Sequence, residues 1–161
     1  MISPDSSRFK VNWVLIDELS LGKIPSKDRH AVVLSKAGVK CILSLCSPEE
    51  ATLSVKIKEN FAHKCVVLPD HKSSKSLELD QLNQALDTIE EFLQNVGPVY
   101  VHCIAAMERS PLVCLGWLIR KHNLDPQSAL DYMMQIHPGT NPLPEQLNLL
   151  KSVIAEPKHF T

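Results

Sequence analysis

Val99-Tyr100-Val101 leads into His102-Cys103, and five residues later comes Arg109-Ser110-Pro111. The run before the cysteine reads as a short strand. The run after Pro111 (Leu112, Val113, Cys114, Leu115, Trp117, Leu118, Ile119) is apolar on nearly every side of a helix. A helix of that kind is buried in the middle of a domain. A buried strand, a tight loop and a buried helix in succession therefore fix the centre of the fold, and the remaining elements must cover it. Ser110 suits the cap of that helix and Pro111 its first turn.

The flanking segments alternate between strand and helix patterns. Strands are expected over Asn12–Ile16, Leu19–Gly22, Lys40–Leu45 and Lys64–Leu68. Ser26 opens a helix that Gly38 closes, and Ser47-Pro48-Glu49-Glu50 opens another, with a cap, a proline and acids at the positive dipole end. Leu79 to Asn95 is a long amphipathic helix, with Leu79, Leu82, Leu86, Ile89 and Leu93 on one face. Asp125-Pro126 starts a helix to about Ile136, and Pro144 a last one to about Ala155. Alternation followed by helices alone predicts an α/β fold: a single domain with a mainly parallel central sheet of about five strands and helices on both faces. Residues 1–10 are polar and expected to be loose, and residues 11–157 form the domain.

A loop between a strand end and a helix N-terminus offers free N–H groups and a positive dipole end, which together hold an anion. Arg109 adds a planar fork that fits two phosphate oxygens. The same field favours the charged form of Cys103, and a thiolate facing a bound oxyanion is a nucleophile facing its substrate. The substrate-binding loop is Ile104, Ala105, Ala106, Met107, Glu108 and Arg109. His102 reads either as a residue orienting the loop from behind or as a satisfied core histidine. Ser110 reads either as the helix cap or as a hydrogen-bond partner of the thiolate. Glu108 reads as a solvated charge pointing outward.

His102-Cys103 through Arg109-Ser110 resembles the signature of the cysteine-dependent protein phosphatases, and the chain length resembles their dual-specificity branch. The resemblance implies a dual-specificity phosphatase-like catalytic domain that hydrolyses phosphomonoesters through a cysteinyl-phosphate. Its expected partner is a phosphorylated protein, on phosphotyrosine and also on phosphoserine and phosphothreonine. A phosphate-binding module with little turnover and a small-molecule or lipid phosphatase on the same fold are the alternatives. The resemblance also implies a general acid on a loop after a neighbouring strand. Asp70 in Pro69-Asp70-His71 fits, and that text looks like the acid loop of the lipid-phosphatase relatives of the branch; Asp80 is the nearest competitor. The family's usual glycine three positions after the cysteine is Ala106 here, which costs roughly 1 kcal/mol if the residue has positive φ.

Other classes find little support. With 161 residues, 44% hydrophobic and 22% charged, and a net charge of −1, no bulk field points to nucleic acid or a membrane. Met1 to Asp5 begins no apolar signal segment and Leu112–Ile119 is too short to span a bilayer, so a cytoplasmic monomer is expected. Five cysteines without paired short spacings argue against a disulfide framework, and no metal-ligand spacing appears, so neither metal nor cofactor is expected. Cys46, at the end of the strand expected beside Val99–Val101, is the candidate redox partner of Cys103; its other reading is a small buried hydrophobe.

Overall fold

Four strands run parallel and finish level with one another. The computed structural model describes residues 8–157. In it β2 (Leu19–Gly22), β3 (Cys41–Ser44) and β5 (Val99–His102) pair so that Gly22, His102 and Ser44 lie side by side, and Ser44 pairs in turn with Cys65 at the end of β4 (Ala62–Cys65). β1 (Asn12–Leu15) runs antiparallel along the edge of β2. The sheet order is β1-β2-β5-β3-β4. Every loop that leaves the aligned ends therefore opens at one edge, where a parallel sheet forms its binding crevice.

Alternation along the strands divides the core. Ile42 and Tyr100 face one side, where they pack with Ala31 and Leu34 of α1 (Asp28–Ala37) and Ile57 of α2 (Val55–Asn60). Cys41, Leu43, Val99 and Val101 face the other. There they meet Leu82, Leu86 and Ile89 of α3 (Leu79–Asn95) and the buried face of α4 (Arg109–His122), backed by Ala129 and Met133 of α5 (Pro126–Ile136) and Leu150 of α6 (Pro144–Leu150). The buried positions of α4 run unbroken from Arg109 to Ile119, which is why its sequence lacks a polar stripe. The five-stranded, mainly parallel sheet with helices on both faces is the expected α/β architecture.

Several boundaries differ from the sequence pattern. No helix starts at Ser47. Glu50 does bond back to Ser47 N at 2.8 Å in capping-box fashion, but the chain makes one turn there, and α2 begins at Val55 with Ser54 as its cap. The expected strand over Lys64–Leu68 begins two residues earlier, and its later part stays in register through bonds from Val66 N to Ser44 O and Leu68 N to Leu45 O, both 2.9 Å. The last helix ends at Leu150 rather than near Ala155. Ser110 is not the cap of α4; Glu108 occupies that position and Ser110 lies inside the first turn. Of the segment expected to be loose, residues 1–7 lie outside the described residues, while Phe9 stacks on His30 with ring centroids 4.1 Å apart.

Candidate active site

The loop from Cys103 to Glu108 leaves β5 in the middle of the aligned strand ends and enters α4 directly. Cys103 is 3% exposed, and its Sγ lies 3.3 Å from Ser110 Oγ. The carbonyls around the loop are turned outward to fixed donors. His102 Nδ1 donates to Cys103 O (2.9 Å), Ile24 N to Ile104 O (3.3 Å), His137 Nε2 to Ala106 O (2.6 Å) and Asn141 N to Met107 O (2.6 Å). In a trans peptide the N–H points away from the C=O. Fixing these carbonyls outward therefore aims the intervening N–H groups at the cavity, the arrangement that receives an oxyanion.

Ala106 has φ 59°, the left-handed region that favours glycine. The strain is held from outside the loop. His137 Nε2 carries the proton given to Ala106 O, so Nδ1 is free to accept from Asn12 Nδ2 at 2.9 Å, and Asn12 also donates to Ile136 O at 2.8 Å. A residue of β1 and one at the end of α5 thus fix a loop that touches neither in sequence.

A second chain runs behind the cysteine. His102 is fully buried. Because Cys103 O can only accept, His102 Nδ1 holds its proton and Nε2 accepts from Ser44 O–H at 2.5 Å; Ser44 Oγ then accepts from His63 Nε2 at 2.9 Å. Burial pushes the His102 pKa down to about 4, with the Arg109 charge adding to the depression and the bond to Cys103 O opposing it. The unfolded chain takes up that proton near 6.5. Between pH 6.5 and 4 the unfolded state is thus protonated and the native state is not, so stability falls as pH falls across this window, by about 3 kcal/mol in all. The urea midpoint should drop over that range in the parent and drop less in His102→Asn; parallel pH curves for the two proteins would contradict this account.

Arg109 is 4% exposed, and its contacts converge on one corner of the guanidinium. Nη1 donates to Leu68 O (3.1 Å), Leu45 O (3.5 Å) and the Glu50 carboxylate, whose Oε1 lies 3.1 Å away. A planar fork anchored at one corner can present its other N–H groups to a phosphate. Glu50 comes from the loop after β3; sequence pattern read it as a helix-opening acid, and nothing local pointed to Arg109.

Asp70 is half-buried in the loop after β4, and its Oδ1 accepts from Lys72 N at 2.9 Å. It lines the same cavity of about 430 Å³ as Cys103, Arg109, His71, Lys72 and the exposed side chains of Ile104 and Met107, with Asn141 and Leu143 closing one wall. Asp80 is exposed in the first turn of α3. Glu108 does not point outward; its side chain is 13% exposed and bonded on both oxygens. Cys46 is buried beside the loop. Burial raises its thiol pKa to about 11, and Arg109 and Cys103 both lie near enough to act on it electrostatically.

A parallel sheet that delivers a buried cysteine into an arginine-backed oxyanion loop at a helix N-terminus is the architecture of the cysteine-dependent phosphatases. Residues 22–154 match the dual specificity phosphatase catalytic domain, and the chain belongs to that family. It is 25% identical over 161 residues to the phosphatidylglycerophosphate phosphatase PTPMT2 of Arabidopsis thaliana, covering 92% of this chain and 70% of that protein. With dual specificity protein phosphatase 1 of Arabidopsis thaliana it shares 28% identity over 124 residues, 77% of this chain and 59% of that one. With dual specificity protein phosphatase 1-A of Xenopus laevis it shares 31% over 77 residues, which is 47% of this chain and 20% of the relative's length. The chain thus spans only part of these relatives. Its fold is similar to that of PTPMT1 solved in complex with PI(5)P (TM-score 0.76, 20% identity, 89% of this chain and 93% of that one). It is also similar to the human tyrosine phosphatase-like serine/threonine/tyrosine-interacting protein (TM-score 0.77, 19% identity, 88% and 93%). Among the described residues, no helix is long and apolar enough to cross a membrane.

Proposed function

We propose that the chain hydrolyses phosphomonoesters through a cysteinyl-phosphate on Cys103, with phosphotyrosine proteins as its main substrates and phosphoserine and phosphothreonine proteins as further ones. The observation that carries this reading is the meeting of Cys103, Arg109 and Asp70 on one cavity at the aligned strand ends. In the first step Cys103 Sγ attacks phosphorus while Asp70 gives its proton to the departing oxygen, avoiding an unstabilised alkoxide. In the second, Asp70 takes a proton from water as the water attacks the phosphocysteine. Ser110, 3.3 Å from Sγ, donates a hydrogen bond to the sulfur as it leaves. The loop N–H groups and Arg109 hold the phosphoryl charge throughout. Domain limits of residues 11–157 and action as a monomer in the cytoplasm are part of the same reading.

The loop carries no lysine, and Glu50 and Glu108 bring two carboxylates to its edge, which favours a single phosphate over a polyphosphorylated head group. The likeness to PTPMT2 supports a second reading, a lipid phosphomonoesterase. Turnover against phenyl phosphate, phosphotyrosine and phosphothreonine peptides, phosphatidylglycerophosphate and phosphoinositides separates the readings. The proposal expects the phosphotyrosine peptide to have the highest kcat/KM. Preference for a lipid would move the assignment to the second reading, and binding of phosphate without turnover of any of them would make the chain a phosphate-binding module.

Cys46 is proposed as the resolving thiol. Peroxide oxidises Cys103 to a sulfenic acid with loss of water, and Cys46 sulfur then displaces a second water to form the disulfide, which thiol reductants reopen. Peptide mapping after mild peroxide should recover a Cys103–Cys46 pair. Over-oxidised, unpaired Cys103, with Cys46→Ser recovering as well as the parent, would remove Cys46 from the scheme.

A further inference from the structure

Glu108 joins three parts of the active site through one carboxylate. Its Oε2 lies 2.9 Å from His71 Nδ1, and its Oε1 accepts from Gln146 Nε2 at 2.8 Å. Gln146 is buried at 4% exposure, and its own Oε1 accepts from Leu143 N at 2.8 Å, which fixes the amide so that Nε2 must face Glu108. A carboxylate only accepts, so His71 presents Nδ1–H to it whatever the charge on the ring. Glu108 is therefore held on one side by α6 and through its backbone by the phosphate loop, where Asn141 N fixes the preceding carbonyl. On the other side it holds His71, the residue after Asp70.

The loop so held has little else to fix it. From His71 to Ser76 every residue is exposed, and its described bonds are local ones, Lys72 N to Asp70 Oδ1, Ser73 N to Asp70 O and Lys75 N to Ser73 Oγ. Such a segment is free to swing on its hinge, and the placement of Asp70 would swing with it.

We propose that the Glu108–His71 pair is a latch that positions the acid loop, fixing Asp70 over Cys103 by tying the loop to the phosphate-binding loop and α6. His71 and Glu108 are then positioning residues. They act on the proton-delivery step through Asp70; His71 has no part in phosphate binding, and Glu108 bears on it only through its charge at the loop edge. The inference rests on Asp70 as the general acid.

The test compares kcat and KM on phenyl phosphate, whose leaving oxygen needs a proton, with those on a fluorinated umbelliferyl phosphate, whose phenolate leaves unaided. His71→Ala is expected to lower kcat on phenyl phosphate roughly tenfold, the scale of one charge-assisted hydrogen bond, with less than twofold change on the fluorinated ester and little change in either KM. His71→Asn, whose amide N–H sits where Nδ1–H was, should restore most of the loss, and Glu108→Gln should lower kcat on phenyl phosphate as His71→Ala does, with a shift in KM on both esters from the charge it removes at the loop edge. In an Asp70→Asn background, His71→Ala should add nothing. Equal losses on both esters, a change confined to KM, no loss at all, or a further loss in the Asp70→Asn background would each overturn the latch. If Asp70→Asn itself shows no dependence on the leaving group, the acid assignment fails and the latch with it. If Asp70→Asn shows that dependence and His71→Ala does not, the latch alone fails.

Discussion

Cys103→Ser is expected to abolish turnover, a fall on the order of 10⁴- to 10⁶-fold, the scale seen when a covalent nucleophile is removed. A hydroxyl at this position cannot supply the anionic sulfur that attacks phosphorus, and neither His102 nor Ser110 can act as its base. His102 Nε2 is committed to Ser44 O–H on the far side of the strand, and Ser110 offers only a hydroxyl. The replacement keeps the side chain's shape in a pocket that is 3% exposed, so the fold should survive. Phosphate recognition should survive too, because it belongs to the loop N–H groups and Arg109. The expected profile is therefore loss of kcat with retained stabilisation by inorganic phosphate in thermal unfolding. Turnover by the purified variant at even a hundredth of the parent rate would mean that another group is the nucleophile.

The second large effect falls on Asp70. Asp70→Asn should lower kcat/KM by about 10²-fold or more for phenyl or alkyl phosphates, the usual scale of general acid catalysis, and by much less for an ester that leaves without a proton. The asparagine can still accept from Lys72 N through its amide oxygen, as Asp70 Oδ1 does at 2.9 Å, so the loop turn is kept and the lost proton is isolated as the cause. A harmless Asp70→Asn together with a damaging Asp80→Asn would transfer the role to α3, although Asp80 stands exposed in that helix's first turn.

What the sequence pattern disclosed was local. The strand, loop and helix around Cys103 were readable because each carries its own periodicity, and α3 has the expected bounds, Leu79–Asn95, because its apolar face repeats through four turns. Ala106 showed as a departure from the family's glycine, and the structure places it at positive φ. The supports of the site were not readable. Arg109 meets Glu50 across 59 positions, His137 meets Ala106 across 31, and Asn12 meets His137 across 125. None of these pairs leaves a periodic trace. Glu50 misled for a physical reason: its capping bond to Ser47 N is real, but the same carboxylate is drawn to Arg109, and the turn does not propagate into a helix. Glu108 misled because an acid beside an anion site reads as solvated, whereas His71 and Gln146 hold it in place.

A phosphorylated intermediate on sulfur is the step on which the account stands. Rapid mixing of the protein with ³²P-labelled aryl phosphate, denaturation in SDS at mildly alkaline pH within milliseconds and peptide mapping at that pH reads it directly. Asp70→Asn is the protein to use, since the variant still forms the intermediate from an ester that needs no proton and should hydrolyse it slowly. Near-stoichiometric label is expected on the peptide that contains Cys103, stable at mildly alkaline pH, lost in weak acid and absent from Cys103→Ser. Rapid turnover with no label on that peptide, or label on a serine or histidine that persists in Cys103→Ser, would contradict it.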